Sequence, residues 1–408
     1  MSAAPEAAAL AQARRVLTAS WREGEWIGAE AEPVEFGFSC PSPTHYPWQW
    51  YWDSCFHAIC RRRFDREKSR KELESLLAAM RPDGFIGHTI FWNTPIDRLR
   101  RFTYNIDSPT SPTTSTMQPP LLAWAWKICG LGEPSDEPRI VRHHEWLRSE
   151  RDLDGDGLLW IIQPDESGID SSPKFEETWG YRAHGHLGFP LLLRQNRRLD
   201  WSARKIADAG HPVVCELIVN VLWGLSLLAS GEESITPRIV ERFWDEDRGL
   251  FLDVVRKGSK ERQVDISTWT ALAPLALPDL PEEIGRRLVD EHLLASDGYW
   301  TPVPVPSVAV SEPEFEPRKW KSGPIRRYWM GPSWGNSAWL IWLGLNRLGY
   351  EKEAAEMEKA WLGCYVREGS WEFYEPYSGE GMGARDFGWT SLVAEFADPD
   401  PLGLTSWV

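Results

Sequence analysis

The sequence is short of cysteine chemistry, of positive charge and of long apolar runs, and each shortage excludes something. Its six cysteines (Cys40, Cys55, Cys60, Cys129, Cys215, Cys364) form no CxxC pair and no zinc-ligand spacing, so neither a redox motif nor a structural metal site is read. The first twenty residues are alanine-rich, carry Arg14 and Arg15 late and lack an apolar core, which excludes a secretory signal there. Reduced, buried cysteines and a cytoplasmic location follow as expectations. No run of about 18 apolar residues occurs, so no membrane partner is expected. Lysine and arginine total 45 against 60 acidic residues, a formal charge of −15. That balance argues against a nucleic-acid partner, whose binding is driven by clustered cations.

Tryptophan is abundant instead: 25 of 408 residues. Its flat apolar face stacks on the C–H side of a sugar ring while polar neighbours take the hydroxyls. Individual tryptophans are more often core than site, but this density points toward carbohydrate.

Apolar spacing predicts helices over Glu67–Met80, Pro119–Cys129, Val214–Leu228, Ser337–Leu348 and Lys352–Cys364. Between them an Asp-containing turn with a following glycine recurs before a short strand-like element. Asp83-Gly84, Asp154-Gly155-Asp156-Gly157, Asp247-Arg248-Gly249 and Asp297-Gly298 are its copies. Helical hairpins repeated in this way cannot bury their faces singly, and closing them into an α/α toroid solves that. No linker divides the chain. An all-α single catalytic domain over 1–408 is expected, with short β elements at one mouth and inserted loops at about 82–118 and 300–325. The Asp152–Gly157 run does not complete a calcium loop, because Gln163 stands where the bidentate glutamate would be. The adjacent His143 and His144 lie in a charged stretch and read as surface.

Four clusters carry candidate chemistry. Tyr46-Pro47-Trp48-Gln49-Trp50-Tyr51-Trp52-Asp53 puts five aromatics before a carboxylate, the equipment for holding one hexose. Asp165, Glu166 and Asp170 crowd a loop bounded by Pro164 and Pro173. Like charges brought together and buried raise a carboxyl's proton affinity, as a glycosidic general acid requires. Tyr328-Trp329-Met330-Gly331-Pro332-Ser333-Trp334 is a second aromatic wall. The fourth cluster, Trp371–Gly381 and Asp386–Thr390 with Trp389, offers Glu372, Glu375 and Glu380, and spacing alone does not choose among them.

In this order the clusters resemble glycoside hydrolase family 63, in particular its short mannosylglycerate and glucosylglycerate hydrolases, with trehalases as distant relatives. The resemblance runs from about Tyr46 to Leu392. It implies an (α/α)6 barrel and an inverting α-glycosidase without metal or cofactor. The family's Glu-Ser-Gly-x-Asp-x-Ser-Pro motif is matched by Glu166–Pro173, making Asp170 the implied general acid. Glu372-Phe373-Tyr374-Glu375-Pro376 matches the motif opened by the general base, so Glu372 takes that role. Tyr46, Trp52 and Asp53 match the sugar-holding residues. Gln118 opens a matching Gln-Pro-Pro, and Tyr328, Trp329 and Trp334 match the aromatic wall. Met330, Phe373 and Glu375 depart from the family pattern, and Ile96–Ser115 does not align.

Glu166 is expected to help keep Asp170 protonated. The substrate class implied is a small α-glucoside or α-mannoside. A glycerate leaving group needs a cationic or multi-donor clamp, for which His88, Gln118, Arg98, Arg100, Arg101 and Arg204 are candidates. A trehalase-like or oligosaccharide α-glucosidase acting on a neutral substrate is the first alternative, and a non-catalytic sugar-binding protein the second. The sequence leaves the oligomeric state open, and an exposed tryptophan patch would favour a homo-oligomer.

Overall fold

The computed structural model describes residues 3–27, 32–94, 96–106, 113–183, 188–318 and 328–397. The architecture follows from segments that are apolar on every side. Leu217–Ala229 reads LIVNVLWGLSLLA and is buried almost throughout, the pattern of a helix surrounded by protein. Glu216 caps it, accepting from the Val219 amide at 2.8 Å. Five further segments are buried in the same way: Tyr51–Arg61, Leu122–Ile128, Gly335–Arg347 and the 3₁₀ stretches Trp269–Ala276 and Trp389–Ala397. Taken in chain order, each packs on the next, and Trp389–Ala397 packs back on Tyr51–Arg61. The inner segments therefore form a closed circuit.

Amphipathic helices cover this circuit from outside. Arg66–Ala78 lays Leu73, Leu76 and Leu77 on Tyr51–Arg61, and Asp65 caps it at the Lys68 amide (3.0 Å). Thr236–Phe243 covers Leu217–Ala229, Glu351–Glu368 covers Gly335–Arg347, and Ala3–Ala19 lies on Trp389–Ala397. Each fully buried large side chain contributes about 1.5–3 kcal/mol, and eight tryptophans are among the most completely buried residues.

The expected helices form with shifted ends. Pro119 and Pro120 precede the helix rather than start it, so it begins at Leu122. Val214–Leu228 divides, because Val213–Cys215 is the central piece of an antiparallel sheet with Trp160–Ile161 and the Val254–Lys257/Lys260–Gln263 hairpin. Within 82–118 a short helix occupies Arg98–Thr103, while residues 95 and 107–112 lie outside the described residues. Of the described part of the other insertion, 300–318, residues 303–309 are interior chain, while 310–318 are intermediate or exposed. Val303, Val305 and Val308 are buried, and the Val303 amide donates to the Pro376 carbonyl at 2.8 Å. All six cysteines are free and buried. Among the described residues no helix is long and apolar enough to cross a membrane.

His143 and His144 correct the sequence reading: both are interior, at 2% and 3% exposure. His143 bonds the Gly84 carbonyl (2.9 Å) and the Tyr51 hydroxyl (3.2 Å). His144 meets Glu232 at 2.9 Å and packs edge-on against Trp223. Partners supplied from distant turns make burial tolerable, and a local charge pattern cannot reveal them.

Candidate active site

Four of the six inner segments, Tyr51–Arg61, Leu122–Ile128, Gly335–Arg347 and Trp389–Ala397, border one cavity of about 420 Å³ with residues at or just before their N-terminal ends. The Gln49–Trp50 strand runs directly into the Tyr51–Arg61 helix, so Trp50, Trp52 and Asp53 reach the cavity from one strand-to-helix junction. Gln118 enters from the chain before the next inner helix. It is tied to that junction by accepting the Trp52 amide on Oε1 at 3.1 Å. Burial, reinforced by Glu372, pushes the Asp53 carboxyl well above the usual carboxylate range. His88 lines the same wall, its ring 5.4 Å from that of Trp50 and its Nδ1 2.7 Å from Thr116 Oγ1. Burial draws it down to about 3, so it is neutral near pH 7.

The loop carrying Asp170 is fixed at three points. Gly168 turns it in the left-handed region (φ 76°) directly against the Trp52 indole, where an added Cβ would fall 2.6 Å from ring carbons. Ser171 Oγ accepts the amides of Tyr328 (2.7 Å) and Trp329 (3.2 Å), joining the loop to the aromatic wall. Lys174, fully enclosed, binds Glu216, Asp253 (2.7 Å) and Thr270 Oγ1 (3.1 Å). Asp170 is exposed to the cavity, and its enclosure there, away from bulk water, raises the carboxyl to about 6. The expectation that Glu166 supplies this shift is corrected. That enclosure alone raises Asp170, while Glu166, buried in a double contact with Arg151 (2.6 and 2.9 Å) and accepting the amides of Met117 and Ile162, acts on Asp165 instead.

The structure separates the three glutamates that spacing left open. Glu372 on the Trp371–Tyr374 strand lines the cavity, accepting the Tyr46 hydroxyl on Oε1 (3.3 Å) and the Ala384 amide on Oε2 (2.8 Å). Gly383 leaves room for it, since a Cβ there would sit 2.6 Å from that Oε2. Glu375 instead holds its own turn. It accepts the amides of Tyr377 (3.1 Å) and Ser378 (2.6 Å) and pairs with Arg318 at 3.3 Å. Burial acts to raise Glu375, but these amides and Arg318 hold it below the ordinary value. Glu380 is exposed.

Behind these groups the aromatic wall is layered. Trp329 stacks on Trp334 at 3.8 Å and 6°, Trp334 meets Trp389 at 5.6 Å, and Trp389 meets Trp52 edge-on at 5.1 Å. Tyr46 stands perpendicular to Trp50 and Phe387. Tyr328 completes the lining. The structure therefore brings all twelve residues singled out from the sequence onto one cavity. It adds Asp165, Phe387, Tyr104 and Phe189. The first two lay inside recognised clusters and Tyr104 in the unaligned stretch, while Phe189 has no signal in the sequence.

The proposed arginine clamp fares differently. Arg98 and Arg101 lie on the short helix at the mouth but do not line the cavity. Arg204 is exposed near Asp154, and the Arg100 side chain lies outside the described residues. Among the described residues His88 is the one basic side chain on the cavity wall.

Residues 46–223 and 226–390 match the profile of the mannosylglycerate hydrolase MGH1-like glycoside hydrolase domain. The chain belongs to this family. It is a glycoside hydrolase. Mannosylglycerate hydrolase of Thermus thermophilus is 26% identical, over 88% of this chain and 96% of the relative. Glucosylglycerate hydrolase of Mycolicibacterium hassiacum is 23% identical, over 86% and 92%. Among solved structures, the family 63 mannosylglycerate hydrolase of T. thermophilus in complex with Tris and D-glycerate superposes with a TM-score of 0.74. That match has 23% identity and covers 95% of this chain and 99% of that one. Neutral trehalase of Saccharomyces cerevisiae gives 0.57 at 15% identity, covering 97% and 82%. The helix-rich fold is thus one shared with family 63 hydrolases and, more distantly, a trehalase.

Proposed function

We propose that this hydrolase is a cytoplasmic inverting α-glycosidase acting on a small α-glucoside or α-mannoside, foremost glucosylglycerate or mannosylglycerate. Its single catalytic domain is an (α/α)6 toroid, a reading supported by the closed circuit of inner segments. The observation that carries the proposal is the meeting of Asp170 and Glu372, from distant parts of the chain, on one aromatic-walled cavity. Asp170 gives its proton to the glycosidic oxygen as the bond to the anomeric carbon breaks. Water attacks that carbon from the opposite face, and Glu372 takes the water's proton. Such a displacement needs the carboxyls about 6.5–9.5 Å apart and inverts the anomeric configuration. Asp170's raised proton affinity suits an acid, and Glu372's two hydrogen-bond donors suit an anion. Asp53 and the tryptophans hold the sugar.

A neutral disaccharide is the second reading. It is favoured by the cavity's one described basic group, His88, being uncharged. An NMR time course on glucosylglycerate, mannosylglycerate, trehalose and isomaltose tests both readings. The expected result is turnover of a glycerate glycoside with the β-anomer appearing first. Appearance of the α-anomer first refutes the mechanism, and turnover of the neutral sugars alone establishes the second reading.

A further inference from the structure

The mechanism proposed above uses three carboxyl groups of the cavity wall: Asp53, Asp170 and Glu372. Asp165, a fourth, has no part in it. It sits on the Pro164–Ser167 turn five residues before Asp170, and its side chain is 20% accessible, opening to the cavity. One of its oxygens is anchored: Oδ1 accepts Gln163 Nε2 at 2.6 Å, and Gln163 Oε1 accepts buried Asn196 Nδ2 at 3.0 Å. The other, Oδ2, stands 3.9 Å from His88 Nδ1, beyond hydrogen-bond reach. A carboxyl fixed at one oxygen by a buried amide chain holds its second in a defined place for a ligand.

The titratable groups facing Asp165 are His88, which is neutral, Glu166, which is paired with Arg151 and still acts on Asp165, and Asp170. Burial first, then Glu166 and Asp170, pushes Asp165 up to about 8. Near pH 7 it therefore keeps its proton and is a donor. On its own loop Asp165 feels Asp170, whereas Asp53 feels Glu372. In a single displacement the acid and the base stand on opposite sides of the anomeric carbon, so a group allied to the acid flanks the departing oxygen.

Resting on the glycosidase reading, we infer that Asp165 donates a hydrogen bond to a hydroxyl of the leaving group and so helps to set leaving-group specificity. The test compares the wild type with Asp165→Ala on the glycoside that the wild type hydrolyses and on the matching α-glycosyl fluoride, whose leaving group has no hydroxyl. The expected loss in kcat/KM is on the order of tenfold on the glycoside, with the fluoride within about twofold. Asp165→Asn, which keeps an N–H donor at the same place, recovers most of the glycoside activity. Equal loss on both substrates, no loss on either, or an Asn variant as impaired as Ala overturns the inference. A wild type that turns over none of glucosylglycerate, mannosylglycerate, trehalose and isomaltose, nor their glycosyl fluorides, refutes the proposed function itself and is seen before any variant is made.

Discussion

Lys174 is where the acid loop joins the helical wall, and its replacement by methionine should be costly in a way that depends on pH. The ammonium, 2% exposed, lies between Glu216 and Asp253, and both carboxylates also serve the backbone. Glu216 caps Leu217–Ala229, and Asp253 accepts the Leu217 amide at 2.8 Å. Met keeps the length of the side chain and removes the charge, leaving two enclosed carboxylates without a cation. Breaking a buried ion pair from one side costs about 3–5 kcal/mol. At about 2.1 cal/mol/K per residue, 408 residues give an unfolding entropy near 0.86 kcal/mol/K, so the loss corresponds to about 4–6 °C in Tm. Burial, reinforced by Asp253, already holds the Glu216 carboxyl above the ordinary value in spite of Lys174. Without Lys174 the Glu216 carboxyl rises further above its unfolded value. The folded variant then binds more protons than the unfolded chain, and its stability recovers as pH falls. Urea unfolding of wild type and Lys174→Met should therefore show a deficit at pH 8 that shrinks at pH 5.5, with the triple variant Lys174→Met/Glu216→Gln/Asp253→Asn restoring most of it. A deficit under about 1 kcal/mol at pH 8, or the same deficit at both pH values, would refute this reasoning.

Three further outcomes are expected. Asp170→Asn and Glu372→Gln should each lower kcat by about 10²–10⁴-fold with unchanged melting behaviour, and either variant retaining wild-type turnover would remove that residue from the mechanism. Because the acid works only while protonated and burial places Asp170 at about 6, kcat/KM should fall about tenfold per pH unit above that value; a plateau persisting to pH 8 contradicts it. Gly168→Ala should cost both stability and activity, because a Cβ there meets the Trp52 indole, whereas Gly155→Ala (φ 72°, open space) should cost only the backbone strain of about 1–2 kcal/mol. Equal effects of the two substitutions on melting temperature would show that the Trp52 contact is unimportant.

What was legible from the chain alone is what neighbouring residues decide together. Apolar periodicity placed the helices at 66–78, 335–347 and 351–368 within a few residues, because a buried face writes itself into local spacing. The aromatic runs and the Glu166–Pro173 motif are contiguous too, and they pointed to the right segments. Only the tertiary structure decided which members of those segments meet. Glu372 faces the cavity while Glu375, three residues on, caps a turn, a difference set by Ala384, Tyr46 and Arg318 and not by spacing. Likewise Glu166 is paired with an arginine fifteen residues away, Asp165 is left as the unspent acid, and Phe189 reaches a site that nothing near it announces. Burial and charge coupling depend on distance in space, and the closed packing of the inner segments brings together residues that the sequence keeps hundreds of positions apart.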